Sequence, residues 1–337
     1  MQRIEKELQK KLNKTPRKEE GEELYSYYVN AYSYLQNNVF SEIPKKVPEL
    51  TSHDERHIIN VLDNIGKLLG DAQIKSINAM DLYFLCLATI FHDAGLLYGR
   101  DNHQNNIAGI YDDIRGENRL SYFANEKSIL LQIVAAHTGK SRNDNTYDTL
   151  KDLGKMNAYA DSINVREIAA ILRFADELAE GIHRTSEFLI AKKLYKRKSQ
   201  IYHIYSQAYS SVVSFDRIAI TYNLFIKKKD SVIFIDDNIT LENFLEFIYI
   251  RLTKLDEERK YCRYYCQLWL SCLKEISIDF KFWTGGTEIK HNLTPIILDD
   301  KIVPRDSKSF IADKYPTYKC SAIITMLKKN MIKKRKE

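Results

Sequence analysis

Residues 79–97 read AMDLYFLCLATIFHDAGLL, an apolar run that ends on the adjacent pair His92-Asp93. A surface helix carries a polar face. This run has almost none, so it predicts a central buried helix. Gly95 suits a helix stop. A histidine and a carboxylate at the end of a buried helix are costly unless something satisfies them. A divalent metal ion would satisfy both. Neighbours on a helix diverge by about 100°, so the pair converges on one ion where the last turn frays. The plain alternative, a capped histidine beside a C-terminal Asp, is weakened because the helix dipole disfavours Asp there.

The flanks are also helical. HIINVLDNIGKLLG (57–70) places Ile58, Val61, Leu62, Ile65, Leu68 and Leu69 at helical spacing. HQNNIAGIYDDIR (103–115), NEKSILLQIVAAH (125–137) and VREIAAILRFADELAEG (165–181) predict three further helices. Strand-like alternation is scarce over 51–185. Residues 1–50 read as a helical extension, with a break at Thr15-Pro16 and a loop at Pro44 and Pro48.

After residue 186 the character changes. YHIYSQAYSSVVSFDRIAITYNLFI (202–226) is rich in β-branched and aromatic residues and predicts strands. ISIDFKFW (276–283) and TPIILD (294–299) are further strand candidates, Gly285-Gly286 is a turn, and 241–276 is a long helical stretch. The expected fold is mainly α: a helical bundle over 51–185 with an appended small α+β domain over 186–337.

Composition sets limits. The chain has 337 residues, 44% hydrophobic and 28% charged, enough for a sizeable core under an ordinary surface. No apolar run approaches the length needed to cross a bilayer. The start, MQRIEKELQKKLNK, has no apolar segment of the kind a secretory signal needs. Cys86, Cys262, Cys266, Cys272 and Cys320 make an odd count, which suits reduced thiols and a cytoplasmic setting. Cys262 and Cys266 lie one turn apart but lack a second pair of soft ligands for zinc. The net charge is +6, compatible with a phosphate-bearing partner. Part of it sits in a basic tail, Lys328–Lys336, either a solvated end or a nucleic-acid contact.

Other residues join His92 and Asp93 as candidate metal ligands. His57 starts a helix, and its apolar face begins immediately after it. His53 is a rival four residues earlier, and His57 is preferred for that face. Asp176 lies beside the apolar stripe of Ile168, Leu172 and Ala175. A carboxylate there wants a cation, either Arg173 at i−3 or a metal. His103 and His137 lie downstream of the His92-Asp93 pair. His203 and His291 have no partner pattern and read as structural.

The order H…HD…D, each member on a helix, resembles the HD superfamily of metal-dependent phosphohydrolases. The segments that carry the resemblance are HIINV, FHDAGLL and LRFADELAEG, within about residues 50 to 185. It implies His57, His92, Asp93 and Asp176 as primary ligands of a transition metal. Mixed nitrogen and oxygen ligation suits manganese, iron, nickel, cobalt or zinc. His103 and His137 resemble the added ligands of two-metal members, in which Asp93 would bridge the ions. Such a pair of ions activates water and neutralises phosphoryl charge. With one ion, His103 and His137 would orient water or protonate the leaving group. The Gly-Tyr-Pro signature of one cyclic-dinucleotide subgroup is missing after His137, where Thr138-Gly139-Lys140 stands instead.

Lys140 and Arg142 follow His137, and Arg184 follows the Asp176 helix. If these loops rim the pocket, their cations would hold phosphate oxygens. The resemblance therefore implies a hydrolase of a nucleotide. The alternatives are an HD nuclease on single-stranded nucleic acid and a non-catalytic ligand sensor or assembly subunit. Expected partners are a nucleotide substrate, nucleic acid in the nuclease reading, no membrane, and further copies or a larger complex.

Overall fold

The computed structural model describes residues 1–101, 103–116, 123–137, 148–300 and 310–333. The chain divides into two compact units, residues 1–179 with 261–272, and residues 180–260 with 273–337.

The first unit is helical. α1 (Arg3–Leu12) and α2 (Lys18–Leu35) flank the Thr15-Pro16 break. α3 (Ile43–Lys46) is one turn long. Pro44 is the second residue of that turn instead of marking a loop, because a first-turn residue needs no N–H donor. The main helices are α4 (Glu55–Ser76), α5 (Ala79–Phe91), α6 (Ile107–Arg115), α7 (Ala124–Ala136) and α8 (Val165–Glu177). A short antiparallel hairpin, β1 (Lys155–Ala158) and β2 (Asp161–Asn164), leads into α8.

α5 is the core helix. All its residues from Met80 to Phe91 are buried, and it packs against α1, α2, α4, α7 and α8. The segment Ala79–Tyr98 does reach membrane-spanning length and hydropathy, contrary to the expectation, because helical turns continue past Phe91. In this fold 94% of that window is buried. Asn78 caps α5 by accepting from Asp81 N at 2.6 Å. The Asp81 carboxylate in turn accepts from Asn164 N at 2.8 Å, tying the start of α5 to the start of α8.

A buried ionic cluster locks α6 and α7 together. Arg115 Nη2 donates to Glu126 Oε2 at 2.6 Å, and its guanidinium lies between the rings of Tyr27 and Phe123. Tyr83 and Tyr111 donate to the same carboxylate at 2.8 and 2.6 Å, and Tyr159 does so as well. A buried charge is tolerated when paired and fully hydrogen-bonded.

The second unit is α+β. It starts with α9 (Glu187–Ala191) and α10 (Gln200–Ala208), followed by β3 (Tyr209–Val213), β4 (Arg217–Phe225), β5 (Lys227–Lys229), β6 (Val232–Asp236) and β7 (Ile239–Thr240). α11 (Leu241–Tyr265) and α12 (Gln267–Leu270) precede β8 (Glu275–Thr284), β9 (Thr287–Ile289) and β10 (Ile296–Leu298); residues 261–272 belong to the first unit. α13 (Phe310–Lys314) and α14 (Cys320–Lys333) end the chain, so the basic tail is helical through Lys333. One sheet runs β10-β8-β4-β3 with β9 paired to β8, and a second runs β5-β6-β7. β4 and β8 are parallel; the other pairs are antiparallel.

The first part of 202–226 is helix, not strand. Ile204, Tyr205 and Ala208 lie on one buried helical face, and that packing overrides β-propensity. His203 is buried, stacked on Tyr195 and hydrogen-bonded to Thr185. His291 Nε2 donates to Phe280 O at 2.8 Å. Neither histidine belongs to a potential metal-binding group among the described residues. All five cysteines are free thiols.

Candidate metal centre

The site assembles at helix ends. His57 stands in the first turn of α4, whose N-cap, Asp54, accepts from Arg56 N at 3.0 Å. His92 caps the C-terminus of α5, and His137 caps that of α7. Asp93 follows in the bridge region of backbone space (φ −107°, ψ 1°), where active-site residues often sit. It opens the 3₁₀ turn Ala94–Tyr98, so it begins a new helical turn and does not terminate α5 against the dipole.

Three histidines use one device, a bond from Nδ1 to the carbonyl three residues earlier, and for His92 and His137 that carbonyl lies in the last turn of a helix. The last carbonyls of a helix have no intrahelical partner. His92 Nδ1 donates to Thr89 O at 2.7 Å, and His137 Nδ1 donates to Val134 O. His103, at the start of the turn His103–Asn106, donates from Nδ1 to Arg100 O at 3.1 Å. A carbonyl only accepts, so Nδ1 carries a proton in each, and only once the second proton has left Nε2 does the ring offer a lone pair there to a metal.

Gly95 sets the position of His103. A Cβ there would overlap the His103 carbonyl oxygen. The glycine is therefore needed for a close backbone approach, not for the helix stop that its sequence position suggests.

The side chains converge on Asp93. Its Oδ2 lies 3.4 Å from His57 Nε2 and 3.2 Å from His92 Nε2. Its Oδ1 lies 3.5 Å from His103 Nε2 and 3.6 Å from His137 Nε2. Asp176 Oδ1 completes the first set, 3.1 Å from His57 Nε2 and 3.7 Å from His92 Nε2. Two ligand groups result: His57, His92, Asp93 and Asp176, then Asp93, His103 and His137. All six candidate ligands come together. His53 Nε2 lies 3.9 Å from Asp93 Oδ2, so both rivals reach the cluster, with His57 closer and fully buried.

The donor set fits a divalent cation. The Nε2 atoms of His57, His92, His103 and His137 are buried and find no hydrogen-bond partner among the described residues. Four buried imidazole nitrogens without hydrogen bonds around two carboxylates form an unfavourable arrangement that a cation would relieve. Asp176 and His103 remain 26% and 12% exposed at their side chains, which leaves a way in for ligands.

The electrostatics agree. Burial pushes the Asp93 carboxyl up, but His92, with His103, His137 and His53, outweighs it and holds the group well below the usual range. Burial likewise opposes ionisation of Asp176, and His57 and His92 outweigh it. Burial lowers His92, yet Asp93 and Asp176 raise it well above its ordinary value. His103 is also raised, since Asp93 overcomes its burial. At His137 burial prevails and the ring is lowered.

The substrate-side expectations fare differently. Lys140 and Arg142 lie outside the described residues. Arg184 sits, buried, in a short turn of the second unit. Arg173, the alternative cation for Asp176, donates to Thr149 Oγ1 at 2.8 Å and lies over the Tyr261 ring.

A helical unit whose ordered H…HD…D residues meet around one carboxylate defines an HD-domain protein, a class that binds divalent metals and suggests metal-dependent hydrolysis. The model of the HD-CE family matches residues 47–239, more than half of the chain, and the chain belongs to that family. The match runs past the helical region through the β5-β6-β7 sheet almost to its end. No curated protein and no solved structure matches the chain.

Proposed function

We propose that this chain is a metal-dependent phosphohydrolase acting on a nucleotide. The observation that carries this reading is the division of labour on Asp93, one carboxylate oxygen toward His57 and His92 and the other toward His103 and His137. When bound, a divalent ion supplies Lewis acidity, easing the deprotonation of water and offsetting negative charge on a phosphoryl oxygen. His57, His92, Asp93 and Asp176 would hold it, and Asp93, His103 and His137 would hold a second.

The chain's own residues then have defined tasks. Backbone carbonyls of Thr89, Arg100 and Val134 fix three imidazoles with Nε2 facing inward. Such fixation removes reorganisation at the moment of reaction. Where a single ion is held, His103, the most exposed of the four imidazoles, keeps a proton at Nε2 for the departing oxygen. The likeness of ADELAEGIHRTS to nucleotide-processing HD proteins and the net charge of +6 favour a nucleotide. A second reading, cleavage of single-stranded nucleic acid, is favoured by exposed basic segments at 192–198 and 227–229.

The test is a manganese-supplemented hydrolysis screen over nucleotides, cyclic nucleotides and short oligonucleotides, with Asp93→Ala as control. Turnover of a nucleotide that is lost in the variant supports the proposal. Cleavage of oligonucleotides alone replaces it with the nuclease reading. Equal turnover by both proteins refutes the chemistry.

A further inference from the structure

The second unit contains a cavity of about 400 Å³ that the metal chemistry does not use. This size accommodates a small-molecule fragment such as a base with its sugar. α9, α10 and the ends of β4 and β8 wall it. Phe225 and Trp283, paired in register on the parallel strands β4 and β8, stack at 6.1 Å between centroids and 23° between planes on its lining. Phe225 is 57% exposed. Among the described residues, the buried Trp283 Nε1 has no hydrogen-bond partner. Gln207 and Asn223 add amides to the same wall.

Two basic segments border this cavity. One is KKLYKRK at 192–198, and the other is the Lys227-Lys228-Lys229 run that forms β5. All the lysines and the arginine in both are exposed. Lys193 and Lys227 belong to the lining, and Asp237, which pairs with Lys193, also feels Lys227 and Lys229. The two runs therefore share one face. Glu187 and Asp236 line the cavity as well, but the cations of the two runs outnumber them and Asp237 together.

Lysines on an edge strand also guard against aggregation. That role explains β5 alone. It leaves unexplained an aromatic stack with an exposed Phe225 beside a cavity and a second basic run on the same face. Cations that track a backbone, set beside aromatic faces on which bases stack, are the features that hold a single strand.

We propose that this face of the second unit binds single-stranded nucleic acid, with a base entering the cavity against the Phe225–Trp283 stack and the two basic runs holding the flanking phosphates. Binding is independent of hydrolysis at the metal centre, so it can fail or hold irrespective of the proposed activity.

The experiment is fluorescence anisotropy of the full chain with a labelled 20-nucleotide single strand in excess chelator, over a range of salt. Binding should weaken steeply with salt. The variant Lys227→Gln/Lys228→Gln/Lys229→Gln should bind at least about tenfold more weakly, with a salt slope shallower by roughly 2, about 0.7 for each phosphate that is no longer neutralised. Arg197→Gln/Lys198→Gln, in the loop before α10, should weaken binding in the same direction without touching a strand. Phe225→Ala, at an exposed position, should cost about tenfold through weaker stacking. Unchanged affinity in the lysine and loop variants overturns the proposal. So does a duplex bound as tightly as the single strand with Phe225→Ala neutral, and so does binding to phosphatidylserine vesicles with none to the oligonucleotide.

Discussion

Asp93 Oδ1 lies 3.6 Å from His137 Nε2, although the two residues cap different helices. The other oxygen of Asp93 faces His57 at 3.4 Å. One carboxylate thus joins α4, α5 and α7, and the position of each imidazole is set by where its helix begins or ends.

Gly95→Ala tests how His103 is held. The added methyl overlaps the His103 carbonyl oxygen, so one backbone segment must shift. Overpacking of this kind costs about 1–3 kcal/mol. A lowered thermal midpoint, with metal binding at the His103–His137 side weakened more than at the His57 side, is expected. Wild-type stability and metal binding would contradict the assigned role.

Metal affinity should rise with pH across the neutral range. Ligand imidazoles must be neutral. In the metal-free chain burial lowers His92, but Asp93 and Asp176 outweigh it, so its proton is retained well above the ordinary histidine range. An incoming ion must displace that proton, and affinity falls as pH drops below the raised His92 value. Asp93 and Asp176, held low, contribute nothing in that window. Calorimetric titration in buffers of different ionisation enthalpy should record proton release; affinity independent of pH would refute this account.

Much of the site is legible in the sequence, for a physical reason. His57, His92, Asp93 and Asp176 each stand where a polar group meets a helix's apolar stripe, and periodicity reveals that conflict. The split of Asp93's two oxygens is implied only by the resemblance to two-metal members; periodicity does not reveal it, since it depends on how α7 packs against α5. Nor are the carbonyls of Thr89, Arg100 and Val134, which every sequence possesses. Gly95 is misread because a helix stop and a close backbone approach both demand glycine. Residues 202–208 show β-propensity yet form α10, because tertiary packing decides at that length.

Glu126→Ala should be severely destabilising. It leaves the Arg115 guanidinium buried without its carboxylate and strips Tyr83 and Tyr111 of their acceptor. Breaking a buried pair from one side costs about 3–5 kcal/mol. Tyr83→Phe removes the bond it donates to Glu126 and the longer one it accepts from Arg115, and should cost about 1.5–3 kcal/mol. Denaturant unfolding of both variants checks the order; a Glu126→Ala protein as stable as wild type would show that the cluster is not what locks α6 to α7.

The most direct test of the metal centre is elemental analysis with manganese titration of the purified chain beside Asp93→Ala. The account predicts at least one tightly held divalent ion per wild-type chain and its loss in the variant, because both ligand groups share that carboxylate. A wild-type chain that holds no ion, or an Asp93→Ala chain that holds as much as wild type, would contradict it.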